Sequence, residues 1–329
     1  MAGISGAPAR VDSLMHLVEI PANPVPADAV VGAIKTRDGV ELRYARWPPP
    51  AGRKGTVCLF QSRAEFIEKY FEVVRDLHGR GFAVATLDWR GQGLSQRALR
   101  DRNKGYVRRF TDYVTDLKTF VKEVVLPDCP PPFFALGHGM GATVMIEAAA
   151  YGHRWFDRMV LSAPMINLAQ PPLGGAGPGI AHALTAAGLG RIYVPGGGAT
   201  PAALAPFEGN ILTSDPVRYA RTAAILEAEP LLGIGAPTVR WASAAFRAME
   251  TIQEPSLAAR LRQPMLLLAA GNDHIMSLAA IENFALHMRS GSHLVVPGAL
   301  HEMLMEQDPY RRLFWAAFDA FVPGTPLYG

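Results

Sequence analysis

Hydrophobic residues recur along the chain in two alternating patterns, one typical of buried strands and the other of helices that cover a sheet. Apolar runs at 57–60 and 133–136 predict strands, because they are too short for a buried helix. Segments 65–80 and 111–125 carry apolar residues at intervals of three and four, which predicts helices with one buried face. The same patterns predict further strands at 40–47, 82–87, 159–161, 265–269 and 294–296, and a helix at 140–151.

This alternation of strands and helices predicts an α/β fold, with a mostly parallel central sheet and helices on both faces. The alternation stops after Ala163 and resumes at Met265. An insertion of this size predicts a cap above the carboxyl edge of the sheet, where α/β proteins bind ligands. The predicted organisation is an N-terminal extension (1–28), a first part of the core (29–163), a cap (164–262) and a second part of the core (263–329).

Composition excludes several classes of protein. With 49% hydrophobic and 19% charged residues among 329, the chain has the composition of a globular protein and not of a disordered one. The net charge is only +3, and the basic residues are dispersed, whereas a nucleic-acid-binding protein gathers them into a patch. The mild positive charge permits peripheral contact with a membrane without requiring it. The oligomeric state stays open.

The two cysteines, Cys58 and Cys129, form neither a disulfide framework nor a metal-ligand pattern, so a reducing compartment is expected. Residues 1–28 lack the charged and then apolar order of a secretory signal. No stretch reaches the roughly 18–20 apolar residues that a membrane-spanning helix needs. A cytoplasmic protein is therefore predicted.

The segment 137–141, Gly-His-Gly-Met-Gly, lies between a predicted strand and a predicted helix. This is the setting of a nucleophile elbow, whose pattern is Gly-x-Ser-x-Gly. A sharp turn holds the nucleophile above the sheet, and the amide that follows it points to where an oxyanion forms. Gly139 occupies the nucleophile position here, and it has no hydroxyl to attack a carbonyl group.

Two residues further along supply the other members of a hydrolytic triad. Asp273 follows the predicted strand at 265–269, and His301 follows the predicted strand at 294–296. We expect Asp273 to orient His301 and to stabilise its imidazolium, and His301 to accept the proton of the nucleophile. A phosphate-binding glycine turn is the competing interpretation of 137–141, and an acid and a base in this chain order argue against it.

These residues together resemble the monoacylglycerol lipase and lysophospholipase branch of the α/β-hydrolases, which are serine esterases. The most specific parts are the Asp-Trp-Arg-Gly-Gln-Gly-Leu-Ser turn at 88–95 and the elbow, whose family form is Gly-His-Ser-Met-Gly. Segment 61–70 is similar to the branch's oxyanion loop, and 210–219 is similar to bacterial lysophospholipases. The resemblance implies an α/β-hydrolase fold with an inserted cap, or lid.

The resemblance also implies a site without cofactor or metal. Its oxyanion hole would consist of the backbone amides of Arg63 and Met140, and its substrate would be a small single-chain acyl ester such as a lysophospholipid or a monoacylglycerol. The chain departs from the family in two places. Gln61 and Ser62 stand where the family usually has His-Gly, and Gly139 removes the covalent step.

Three interpretations of Gly139 remain open. In the first, glycine replaces a native serine by deliberate mutation, so the chain is an inactive variant of a carboxylic ester hydrolase with a Ser-Asp-His triad, and Gly139→Ser restores activity. The retained acid and base favour this interpretation, because buried polar groups without a function cost stability. In the second, the protein is a natural pseudoenzyme that binds acyl ligands or a partner protein. In the third, Ser62 or a water activated by His301 replaces the missing nucleophile.

Overall fold

The computed structural model describes residues 16–50 and 54–322, so residues 1–15 of the predicted N-terminal extension lie outside the described residues. Within these two ranges, the structure contains no helix with the length and apolar character needed to cross a membrane. The strands of the central sheet are β1 (Val30–Lys35), β2 (Glu41–Trp47), β3 (Thr56–Phe60), β4 (Ala83–Leu87), β5 (Phe133–His138), β6 (Arg158–Ser162), β7 (Met265–Ala270) and β8 (Gly291–Val296).

The eight strands form one sheet in the order β1-β2-β4-β3-β5-β6-β7-β8. Strand β2 is antiparallel to both of its neighbours. The other six strands, β4, β3, β5, β6, β7 and β8 in sheet order, are parallel to one another. The carboxyl ends of the parallel strands therefore meet at one edge. The α-helices are α1 (Phe71–Gly79), α2 (Thr111–Phe120), α3 (Leu126–Asp128), α4 (Gly139–Ala150), α5 (Gly177–Ala186), α6 (Pro216–Ala228), α7 (Val239–Ile252), α8 (Pro255–Arg260), α9 (Leu278–His287) and α10 (Asp308–Phe321).

Helices cover both faces of the sheet, because successive residues of a strand point to opposite sides. In β3, Val57 and Leu59 join the buried cluster that contains α1 and α10. Cys58 and Phe60 join the other cluster, which contains α2, α4 and α9. The predicted α/β class with a mostly parallel sheet is therefore confirmed.

Three local features differ from the sequence prediction. Strand β1 was not predicted, because it lies at the edge of the sheet and is only partly buried, without a clear alternation. The helix predicted at 65–80 starts as a 3₁₀ turn, Ile67–Tyr70, after an extended Phe66. The helical pattern at 111–125 ends in a π-helical turn, Val121–Val125.

Between β6 and β7 the chain leaves the sheet and forms α5, α6, α7 and α8. Helices α5 and α7 pack against each other. Backbone bridges from Leu168 to Met276 and from Gly105 to Pro237 connect this segment to loops of the core. Its division into a cap at 164–262 stays a prediction.

A buried ion-pair network connects the sheet to the loop after β3. Arg43 of β2 donates to Glu68 at 2.7 and 2.8 Å and to Asp88 at 2.8 Å, and no part of these side chains is exposed. Asp88 also accepts hydrogen bonds from the amides of Ile67 and Leu94. The network thus fixes the 3₁₀ turn and the 88–95 turn relative to each other.

Arg43→Met should lower the free energy of unfolding by about 3–5 kcal/mol, because it leaves two carboxylates buried without their cation. Urea denaturation measures the change. Arg37→Met is the matched control, because Arg37 is exposed. It should change the free energy by less than about 0.5 kcal/mol. A similar small loss in both variants would contradict the importance of the network.

Candidate active site

The elbow predicted at 137–141 has the backbone that its glycines require. Strand β5 ends at His138, and α4 begins at Gly139 in the left-handed region, with φ of +49°. A β-carbon on Gly141 would lie 2.4 Å from the carbonyl oxygen of Phe60. One on Gly137 would lie 2.9 Å from the backbone of Ala142. Strand β5, helix α4 and the end of β3 therefore approach one another so closely that positions 137 and 141 have no room for a side chain.

The predicted acid and base meet above the carboxyl edge of the sheet. Asp273 follows β7 and His301 follows β8, and His301 Nδ1 lies 2.8 Å from Asp273 Oδ2. The other carboxylate oxygen, Oδ1, accepts hydrogen bonds from the amides of Ile275 and Met276. Both side chains are almost fully buried. This geometry holds the imidazole in one orientation and leaves its Nε2 for chemistry.

The charge of Asp273 is favoured despite its burial. Desolvation acts to raise the pKa of the Asp273 carboxyl. The hydrogen bond and the charge of His301, together with the two amides, outweigh desolvation and hold that pKa below its ordinary value. An ionised carboxylate beside Nδ1 can stabilise an imidazolium at His301.

His301 lies over the elbow and contacts a second histidine. Its Nε2 is 3.7 Å from the point where a β-carbon on Gly139 would be. The ring centroids of His301 and His138 are 4.7 Å apart. Burial lowers the pKa of His138 to about 4, so its ring is neutral near pH 7 and adds no positive charge beside His301.

Ser62 occupies the space above Gly139. Its Oγ lies 2.2 Å, and its Cβ 2.9 Å, from the point where a β-carbon on Gly139 would be. The same Oγ accepts a hydrogen bond of 3.2 Å from the amide of Met140. Both distances to the added β-carbon are shorter than side-chain contacts allow, so a serine at 139 does not fit while Ser62 keeps this conformation. The expectation that Gly139→Ser restores activity stays a prediction, and it requires the side chain of Ser62 to move aside.

The amides predicted to form an oxyanion hole belong to the two segments that meet here. Met140 lies in the first turn of α4, where amides have no partner within the helix. In the loop after β3, the amide of Ser62 donates to Glu65 and the amide of Ala64 donates to Gln92. The amide of Arg63, between them, has no acceptor among the described residues. The roles of Arg63 and Met140 stay predictions.

A charged network beneath the loop after β3 was missed by the sequence analysis. Glu65 accepts hydrogen bonds of 2.6 Å from the amide of Ser62 and 2.7 Å from the hydroxyl of Tyr70. Lys69 bridges Glu65 and Glu302 at 2.7 Å. Burial acts to raise the pKa of Glu65, but Lys69, His138 and the hydroxyl of Tyr70 together hold it well below its ordinary value. The network therefore holds Ser62 and the residue after His301 together.

The side chain of Arg63 connects this loop to the segment between β6 and β7. Its Nη2 donates to the carbonyl oxygen of Gly235 at 2.5 Å, and its guanidinium lies 5.2 Å from the ring centroid of Trp241. Trp241 in turn donates to the hydroxyl of Tyr113 at 2.9 Å. The position of the oxyanion loop is thus coupled to the wall of the cavity above it.

Two neighbouring cavities open from these residues. The first, about 290 Å³, is bordered by Ser62, Met140 and His301. The second, about 410 Å³, is lined by apolar side chains of α5 and α7, and it shares Met165, Leu168 and Trp241 with the first. A reacting group in the first cavity can therefore extend an apolar chain into the second. No cluster of side chains with metal-ligand geometry occurs among residues 16–50 and 54–322.

Known proteins match most of this chain. Residues 51–308 match a family described as Serine aminopeptidase, S33. Lysophospholipase L2 of Escherichia coli strain K12 is 30% identical over 282 residues, covering 83% of this chain and 82% of that protein. Monoacylglycerol lipase of Mycolicibacterium smegmatis is 29% identical over 279 residues, covering 82% of this chain and 89% of that protein. A soluble variant of monoglyceride lipase from Saccharomyces cerevisiae, in complex with a substrate analog, has a similar fold. Its TM-score is 0.72 at 19% identity, covering 91% of this chain and 98% of that one.

Gly139→Ser alone should destabilise the chain by about 1–3 kcal/mol beyond its backbone cost, because the new side chain overlaps Ser62. Adding Ser62→Gly should recover this difference, and denaturation of the two single variants and the double variant measures the coupling. Gly174→Ser is the matched control, because Gly174 has a φ of +61° and open space around it. If Gly139→Ser costs no more than this control, the overlap is refuted.

Proposed function

This chain belongs to the serine aminopeptidase S33 family and has the α/β-hydrolase fold, and on that premise we propose that it hydrolyses carboxylic esters of single acyl chains. The observation that carries the proposal is the buried pair of Asp273 and His301, 2.8 Å apart and above the elbow. An acid that orients a histidine beside backbone amide donors is the arrangement that acyl transfer requires.

Each group has a role in this chemistry. His301 accepts the proton of the attacking hydroxyl and later returns it to the leaving alcohol. Asp273 orients the imidazole and stabilises its charged form. The amides of Arg63 and Met140 donate to the oxyanion that forms when the carbonyl carbon becomes tetrahedral. No group in this scheme requires a cofactor.

The proposed substrate is a small lipid ester with one acyl chain. The relatives named lysophospholipase and monoacylglycerol lipase support this class. So does the apolar cavity of about 410 Å³ beside the site, because burial of methylene groups contributes about 0.8 kcal/mol each. A lysophospholipid or a monoacylglycerol could place its ester near His301 and its acyl chain between α5 and α7.

Gly139 has no hydroxyl and cannot act as a nucleophile. If the reaction depends on a nucleophile at the elbow, this chain is predicted to be inactive. A natural pseudoenzyme is the second candidate function, and the observation in its favour is the missing hydroxyl at 139. Such a protein would bind acyl ligands in the same cavities without turning them over. Assays of p-nitrophenyl esters, lysophosphatidylcholine and monoacylglycerol separate the two, because an enzyme releases fatty acid and a binding protein does not.

Asp273→Asn should lower kcat for a p-nitrophenyl ester by about 10⁴, because an amide does not stabilise the imidazolium or select the same tautomer. Asp157→Asn is the matched control, because Asp157 is exposed, and its kcat should equal that of the unsubstituted chain. The measurement is the initial rate at saturating ester. Equal rates in both variants would contradict the proposed acid–base pair.

Ala245→Phe should shorten the acyl chain that the protein accepts. Ala245 is buried in the wall of the larger cavity, and a phenyl ring there would fill space that methylene groups need. We expect kcat/KM to fall by about tenfold or more for esters of long fatty acids, and to change little for butyrate esters. Ala228→Phe, on an exposed position of α6, is the control. An equal loss for short and long esters would argue against an acyl site.

A further inference from the structure

We propose that Ser62, in the loop after β3, supplies the nucleophile that the elbow lacks. This inference rests on the proposed ester hydrolysis and assigns its attacking atom. Ser62 Oγ lies 2.2 Å from the point where a β-carbon on Gly139 would be, and His301 Nε2 lies 3.7 Å from the same point. The hydroxyl thus occupies the region that the elbow presents to its base, although it comes from another segment of the chain.

The cavity around His301 offers few other hydroxyl groups. Among the described residues that line it, Ser62 and Thr222 carry an aliphatic hydroxyl. The hydroxyl of Thr222 donates to the carbonyl oxygen of Arg218, one turn earlier in α6. Ser62 is 8% exposed and borders the cavity, so a substrate carbonyl can approach its Oγ.

The loop that carries Ser62 contains a strained backbone position close to the serine. Ala64, two residues after Ser62, has a φ of +64°, an unusual conformation for a residue other than glycine. Such strain persists only where the surroundings enforce it, and it concentrates at functional sites. Hydrogen bonds from the Ser62 amide to Glu65 and from the Ala64 amide to Gln92 enforce the turn here. The backbone at Ser62 is therefore held in place.

The two proposed oxyanion donors fit a serine at position 62 as well as a serine at position 139. The amide of Met140 follows position 139, and the amide of Arg63 follows position 62. In both arrangements one donor belongs to the residue after the nucleophile and the other to the opposing segment. The hydrogen bond of 3.2 Å from the Met140 amide to Ser62 Oγ indicates that this hydroxyl already lies beside one donor. A carbonyl attacked by Ser62 would place its oxygen near both amides.

The first step forms a bond between Ser62 Oγ and the ester carbonyl carbon. The hydroxyl proton passes to His301 Nε2, and the electron pair of the carbonyl π bond moves to the oxygen, where the two amides donate to it. When the carbonyl re-forms, the bond between carbon and the alcohol oxygen breaks. The alcohol leaves with the proton from His301, and the acyl group remains on Ser62 as an ester.

Water completes the reaction. It attacks the acyl carbon, its proton passes to His301, and the second tetrahedral intermediate expels Ser62 Oγ, which takes the proton back. The products are a fatty acid and the alcohol, and one water is consumed for each ester. Every group returns to its starting state, so the cycle needs no further reactant.

A fluorophosphonate probe tests the assignment, because it forms a stable phosphorus–oxygen bond with an activated serine. The chain is labelled, digested and analysed by mass spectrometry. In the unsubstituted chain we expect the added mass on Ser62. In the Ser62→Ala variant we expect no labelling, and kcat for a p-nitrophenyl ester should fall by about 10⁵–10⁶. Ser256→Ala, at an exposed position, should leave labelling and rate unchanged. Thermal denaturation verifies that each variant is folded.

The exchange variant Ser62→Gly with Gly139→Ser separates failure of this inference from failure of the proposed function. Labelling of the unsubstituted chain at Ser62 supports both. If the unsubstituted chain is inert, or is labelled at another residue, while the exchange variant hydrolyses esters, Ser62 is not the nucleophile and the ester site stands. If both chains are folded and inert toward probe and esters, both proposals are overturned.

Discussion

The close approach of the loop after β3 to the turn between β5 and α4 is the constraint on which the site depends. A β-carbon on Gly141 would overlap the carbonyl oxygen of Phe60, and one on Gly139 would overlap Ser62 Oγ. With Ser62 in this conformation, the two segments leave no room for a second hydroxymethyl group at position 139. The Arg43–Glu68–Asp88 network fixes the 3₁₀ turn that follows this loop, because its charges are stable only while they remain paired.

Much of the fold could be predicted from local patterns. The parallel strands β3 and β5 are nearly completely buried, so they appear in the sequence as continuous apolar runs. Edge strand β1 gives no comparable signal, because one side of its pairing is open and its burial is partial. The 3₁₀ turn before α1 depends on the amide of Ile67 donating to Asp88, and a contact between residues so distant in the chain leaves no periodic pattern.

The candidate site shows the same division. Asp273 and His301 could be predicted because each follows a strand, and parallel strands bring such residues to one edge. The position of Ser62 could not be predicted, since it depends on how far one loop extends over another. The salt bridge between Lys69 and Glu302 could not be predicted either, because it joins the 3₁₀ turn before α1 to the residue after His301. The spacing of motifs gives the order of the candidate site residues along the chain, but it does not give the distances between side chains on different loops.

The shared space between positions 62 and 139 has a consequence for descent. Serine at both positions would be crowded, and glycine at both would leave no hydroxyl in either segment. Neither single substitution thus offers a relaxed and reactive intermediate between the two arrangements. If Ser62 attacks the ester, a classification that looks for serine at the elbow alone would record this chain as inactive.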